Sequence, residues 1–314
     1  MTLALRFAVR LAVDAADFAF ILALLQKEQW NPGKRDAVLF PRIDPNGFFL
    51  ATLDGKPVGC ISAVSYAHGG SETPAPHSFG FIGLYIIAAE HRGKGFGMAL
   101  WSCAMSRFAG HQTIGLDAVA AQVPNYIKSG FVTAYRDVRF MMSDFRAPSL
   151  RNSTTARLIP LDQVPIDDLV AFEARYFGVS RKRFLETWAE QAPEMQGVAL
   201  LNKATEIRAY GVIRQGATGY RVGPLFAQDS DSARIVLVRL VELTRAAAAA
   251  SSSGSIPYPS SSFPVYLDAP DLNRAAGELM QALGMKAVSE CARMYHGPAP
   301  EVDVHGIFAT TTDI

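Results

Sequence analysis

A strand-like run ending at Ile87 and a helix-like run starting near Met98 are joined by Arg92-Gly93-Lys94-Gly95-Phe96-Gly97, and no other stretch limits the fold of this chain as tightly. Alternating glycines let the backbone take positive φ and approach a ligand closely. The first amides of a helix have no intrahelical acceptor, so a helix opening at this turn aims donors at an anion lying in it. Arg92 and Lys94 add positive charge. A P-loop would need G-x4-G-K-[ST], which is absent, and a dinucleotide turn would need a third glycine where Met98 stands. The stretch therefore reads as a phosphate cradle of another kind, with an ordinary glycine-rich strand-to-helix turn as the alternative.

The rest of the chain is compatible with two domains. Its 314 residues are 49% hydrophobic, enough for two cores. Thirty Lys and Arg against 29 Asp and Glu leave a formal charge of +1, which gives no nucleic-acid or membrane-surface footprint. Cys60, Cys103 and Cys291 are too scattered for a disulfide framework or a metal spacing, so the expected setting is reducing and cytoplasmic, with no metal. No apolar run approaches the roughly 18 residues of a membrane span.

Local signals order the first half. A strand within Leu3 to Val13 leads to a helix capped by Asp14, whose stripe is Phe18, Ile21, Leu22 and Leu25. Gln29-Trp30-Asn31-Pro32-Gly33 reads as a turn, followed by a polar connection through Lys34, Arg35 and Asp36. Strands at Gly47 to Leu53 and Val58 to Tyr66 flank Asp54-Gly55, a hairpin dipeptide. After a Gly/Pro-rich loop come the strand Phe79 to Ile87, the cradle, its helix, a strand at Thr113 to Val119, a short helix near Pro124 and a strand from Val132. Trp101, Ala104, Met105 and Phe108 form the sheet-packed face of the cradle helix.

Beyond a polar segment, features recur in the same order. Leu116-Asp117-Ala118 returns as Leu267-Asp268-Ala269, and Gly130 with Arg139 nine residues on returns as Gly284 with Arg293. Gly83 to Ala88 is echoed by Gly223-Pro224-Leu225-Phe226-Ala227, which points to internal duplication. The second copy differs at the cradle: Gln228-Asp229-Ser230-Asp231-Ser232 has no glycine and two carboxylates, so it opposes an anion. Its expected role is to pack on the first copy and narrow the approach to the cleft.

Arg92-x-x-Gly95-x-Gly97 after an apolar strand resembles the acetyl-CoA signature of the GNAT superfamily of N-acetyltransferases. The patterns at 223–227, 267–273 and 292–297, with Trp30-Asn31-Pro32-Gly33, look like a tandem GNAT group whose second domain is degenerate. The resemblance implies an α/β (α+β) fold of two tandem GNAT-like domains, each a mixed, mostly antiparallel sheet flanked by helices. Their expected limits are 1–146 and 157–314, joined by a linker at 147–156, with a low-complexity insert at 246–262. It also implies N-acetyl transfer from acetyl-CoA to a primary amine of a small molecule by direct attack. By the same resemblance, backbone groups of Tyr85, Ile86 and Ile87 hold the pantetheine and acetyl groups, and Arg92, Gly93, Lys94, Gly95, Phe96 and Gly97 hold the pyrophosphate. Asn125 contacts the CoA arm, and Tyr126 donates a proton to the leaving thiolate, with simple packing as the alternative for the tyrosine. Asp117 is the candidate general base, Glu90 and Asp36 being others; a solvated or capping role is the alternative for each. His68 and His111 read as surface residues. A non-catalytic acyl-CoA sensor or scaffold is the competing function.

Overall fold

The computed structural model describes residues 6–66, 78–145, 157–250 and 263–311. The expected linker, most of the Gly/Pro-rich loop with His68, and residues 251–262 of the insert lie outside the described residues.

The first half runs β1 (Phe7–Leu11), α1 (Ala15–Lys27), α2 (Asp36–Ile43), β2 (Phe48–Leu53), β3 (Lys56–Tyr66), β4 (Phe79–Ile87), α3 (Phe96–Arg107), β5 (Thr113–Val119), α4 (Val123–Lys128) and β6 (Val132–Met142). Asp14 caps α1, accepting from the Asp17 amide at 2.9 Å. Asp54 and Gly55 both take positive φ, 48° and 78°, which matches the twist of the strands they join. Where the sequence reading has only a polar connection after Gly33, the chain forms α2. That helix buries Leu39, Phe40 and Ile43 and packs on a helix of the other half, a partner that local periodicity does not announce.

The second half repeats the plan as β7 (Arg157–Pro160), α5 (Ile166–Phe177), α6 (Lys182–Trp188), β8 (Met195–Leu201), β9 (Ile207–Gln215), β10 (Tyr220–Ala227), α7 (Ser230–Ala250), β11 (Val265–Pro270), α8 (Arg274–Ala282) and β12 (Lys286–His296), then adds β13 (Ile307–Ala309). Among the described strands, only β4 with β5 and β10 with β11 pair in parallel. The α7 helix includes the alanines at 246–250. Among the described residues, no helix is long and apolar enough to cross a membrane.

The halves share one sheet, in the order β1-β2-β3-β4-β5-β12-β6-β11-β10-β9-β8-β7, and each donates its last long strand to the other. Thus β12 pairs with β5, β6 pairs with β11, and the two exchanged strands pair with each other at the centre. The exchanged strands cover the edges of β5 and β11 that face away from β4 and β10. The exchange explains the repeated sequence features. Arg293 on β12 donates to both oxygens of Asp117 on β5, at 2.5 and 2.9 Å, and Arg139 on β6 does the same to Asp268 on β11, at 2.6 and 2.8 Å. Asp137 on β6 lies 3.3 Å from Arg293, and burial pushes its carboxyl well above the usual carboxylate range.

Three apolar clusters build the layers. The α3 helix covers one face of the first half, burying Leu100 and Ala104 against Ile82 and Phe131. The α7 helix does the same for the second, through Val236, Leu237 and Leu240. The third cluster is common to both halves, joining Phe18, Leu39 and Tyr66 to Leu169, Phe184 and Trp188. Phe177 sits edge-on to Tyr66 and Phe79 at 5.3 and 5.4 Å. Each fully buried side chain of this size contributes about 1.5–3 kcal/mol, so the shared core joins the halves energetically as the sheet joins them topologically.

Candidate active site

The parallel pairing of β4 with β5 stops at Ile82 opposite Leu116, and the two strands then part. Leu84, at φ 50°, marks a bulge in β4, where the register against β3 shifts between Cys60 and Ser62. The edge of β4 from Gly83 to Ile87 that faces β5 is paired with no described strand. Unpaired strand edges carry backbone donors and acceptors for an extended ligand. A cleft of about 470 Å³ opens there, floored by Gly83 to Ile87 and reaching Arg92, Gly93, Phe96 and Gly97.

At its far end the glycines do what their spacing predicts. Gly93 and Gly95 take φ 75° and 82°, and a Cβ at either would meet nothing within 4 Å. Gly95 opens α3, whose first turn receives no side-chain cap and holds no acidic residue. These uncapped amides, at the positive end of a 12-residue helix, fit a diphosphate by geometry and by charge. Arg92 lines the cleft, donating Nε to the Ile87 carbonyl at 2.8 Å and pairing with Glu28. Lys94 donates to the Glu90 carbonyl at 3.0 Å and does not line the cleft.

Tyr126 projects from α4 into the cleft. Its ring lies 5.4 Å from Trp101 and 6.2 Å from Phe131, and the Tyr85 ring lies 5.9 Å from Trp101. Burial, reinforced by Tyr85, pushes the Tyr126 hydroxyl far up, so it holds its proton throughout the neutral range. Asn125 is brought less close: it is exposed, donates to Gln122 at 2.9 Å, and only Gln122 of the two lines the cleft.

Asp117, the first of the three candidate bases, also lines the cleft, where an ion pair holds it. Both its oxygens accept from Arg293, and its side chain is only 6% exposed. Asp268 makes the matching pair in the half without a cradle, which ties the arrangement to strand exchange. Asp36 is likewise taken up by a buried pair with Arg214. His111 shares a 2.7 Å hydrogen bond with Ser65.

The lining residues, Glu28 to Tyr126, all belong to the first half. Rather than narrowing the cleft directly, the second half grips the turn that forms one wall. Gln29 and Asn31, at φ 61° and 54°, bracket Trp30 in a tight turn. The Asn31 amide group exchanges hydrogen bonds with the Thr218 backbone at 2.8 and 2.7 Å. Lys34 donates to the Gln215 carbonyl and Ala217 to that of Pro32, both at 2.9 Å. Sequence reasoning misses Glu28 and Trp30 as cleft residues, although the Trp30-Asn31-Pro32-Gly33 turn is visible in it.

The corresponding wedge in the second half is filled. Pairing of β10 with β11 ends at Val222 opposite Leu267, and β13 then joins β10 through Leu225 and Phe226. The Thr310 amide donates to the Asp268 carbonyl at 2.7 Å, and Asn273 holds the carbonyls of His305 and Ile307 at 2.9 Å. Asp229 caps the Ser232 amide at 2.7 Å, occupying a donor that an anion would need. Calorimetric titration is therefore expected to give one CoA per chain, lost together with the cradle; two equivalent sites would contradict the comparison of the halves.

Known proteins match both halves. Residues 16–131 match the model described as the acetyltransferase (GNAT) family, and 169–249 with 259–309 match an acetyltransferase (GNAT) domain. A holothin acyltransferase of Pseudoalteromonas sp. (strain SANK 73390) is 27% identical over 285 residues, covering 90% of this chain and 85% of that protein. An uncharacterized N-acetyltransferase of Bacillus subtilis, YitH, is 25% identical over 159 residues, covering 51% and 55%. A candidate acetyltransferase from Pyrococcus horikoshii superposes with a TM-score of 0.73 at 20% identity, over 97% of this chain and 94% of its own. A tandem GNAT protein from the clavulanic acid biosynthesis pathway gives 0.61 at 12% identity, over 94% and 99%.

Proposed function

The chain belongs to the GNAT superfamily of acyltransferases, carrying two such domains in tandem, and from that premise we propose that it moves an acetyl group from acetyl-CoA to a primary amine of a small molecule. The observation that carries this reading is the joining of an open β4 edge to an uncapped, glycine-opened helix within one cleft. The relative named a holothin acyltransferase supports acyl transfer as the reaction class.

Acetyl-CoA would supply the thioester. In this reading the amides at the start of α3, with Arg92 and Lys94, bind its diphosphate, and the free edge of β4 at Tyr85, Ile86 and Ile87 aligns the pantetheine. Gln122, with Asn125 hydrogen-bonded to it, borders the same arm. The neutral amine nitrogen attacks the carbonyl directly, the C–S bond breaks, Tyr126 Oη gives its proton to the departing sulfur, and the proton shed by the new amide nitrogen passes through cleft water to restore the tyrosine. Asp117 serves as a positioning residue of β5, since Arg293 engages both of its oxygens.

Release of free CoA from acetyl-CoA across a panel of amines tests the reading: amine-dependent thiol release supports it. Binding of CoA with no release from any amine would instead mark a sensor or scaffold. Tyr126→Phe is expected to lower turnover about 10- to 1000-fold, as loss of a general acid would, with CoA affinity nearly unchanged. Turnover equal to that of the unaltered protein would return Tyr126 to packing against Trp101.

A further inference from the structure

Arg92 is the cradle's cation that lines the cleft, and in this structure it already has an anion. Its guanidinium pairs with Glu28, the residue that ends α1, and both side chains border the cleft, 50% and 33% exposed. Glu28 is fixed by what surrounds it. Its amide donates to the Leu24 carbonyl at 3.0 Å, and the next residues form the turn that the second half grips through Asn31 and Thr218. A carboxylate at a helix C-terminus meets the negative end of the helix dipole, which Arg92 offsets.

We propose that Glu28 is a built-in rival for the diphosphate of the acyl donor, displaced from Arg92 when that group enters the cradle. The proposal rests on the cradle reading above. A diphosphate brings more negative charge than one carboxylate and engages the open α3 amides as well, so it wins Arg92 while Glu28 stays anchored on α1. A donor fragment without the diphosphate does not compete for Arg92. Glu28 thus sets cofactor affinity and makes it depend on the diphosphate, as a positioning and selectivity residue that touches no reacting atom.

Calorimetry with CoA and with pantetheine, on the unaltered protein, Glu28→Gln and Gly95→Asp, tests this. Glu28→Gln should bind CoA about 2- to 5-fold more tightly, the range for a half-exposed ion pair, with pantetheine affinity unchanged. Equal or weaker CoA binding by Glu28→Gln overturns the rivalry, as does an equal shift for pantetheine, which would mark a general reshaping of the cleft. The Gly95→Asp arm separates the two levels. If that variant keeps CoA, or the unaltered protein binds none, the cradle reading fails; if the cradle stands and Glu28→Gln is neutral, only the rivalry falls.

Discussion

Gly95→Asp is expected to weaken CoA binding about a thousand-fold while the protein stays folded. A carboxylate about 4 Å from a phosphate charge costs about 4 kcal/mol at the effective dielectric of a protein surface, near three decades of affinity. The native φ of 82° disfavours a side chain, but a Cβ there meets open space, so the change in overall stability should stay near 1 kcal/mol. Calorimetry reads the first quantity and thermal unfolding the second. A folded Gly95→Asp variant with unchanged CoA affinity would remove the anion-binding assignment from the cradle.

Arg293→Met should destabilise the whole protein by about 3–5 kcal/mol, because it strands the Asp117 carboxylate in the sheet centre and leaves Asp137 beside it. The same change at Arg139 should cost less, since that side chain is 23% exposed against 8% for Arg293. Adding Asp117→Leu to Arg293→Met should restore part of the loss, because the orphaned charge goes with it. Denaturant midpoints at constant slope measure all three. An Arg293→Met variant within 1 kcal/mol of the unaltered protein would show that the exchanged strands are held by ladder pairing and packing without help from the ion pair.

Features of the site governed by neighbours along the chain are legible in the amino-acid sequence. Glycine at 93 and 95 opens left-handed backbone paths that other residues rarely take, and the apolar run from Phe79 reads as a strand whatever lies beside it. The same holds for the cap at Asp14 and the hairpin at Asp54-Gly55. The recurrence of Leu-Asp-Ala and of a glycine nine residues before an arginine is legible too, but its meaning is not. It marks the pairs Asp117 with Arg293 and Asp268 with Arg139, which span 176 and 129 residues.

The strand, turn and helix that make the cradle, the duplication around it, and the second copy's lack of cradle glycines are all readable in the order of the residues. Those follow from propensity, periodicity and the backbone freedom of glycine, which act over a few residues. Contacts between distant segments account for the rest: β6 and β12 change places, Asp117 is engaged by Arg293, β13 fills the second wedge, and Glu28 faces Arg92. Each depends on which of many compatible partners the folded chain brings within hydrogen-bonding distance. A carboxylate carries the same letter whether it ends beside a guanidinium, a solvent-filled cleft or an amide.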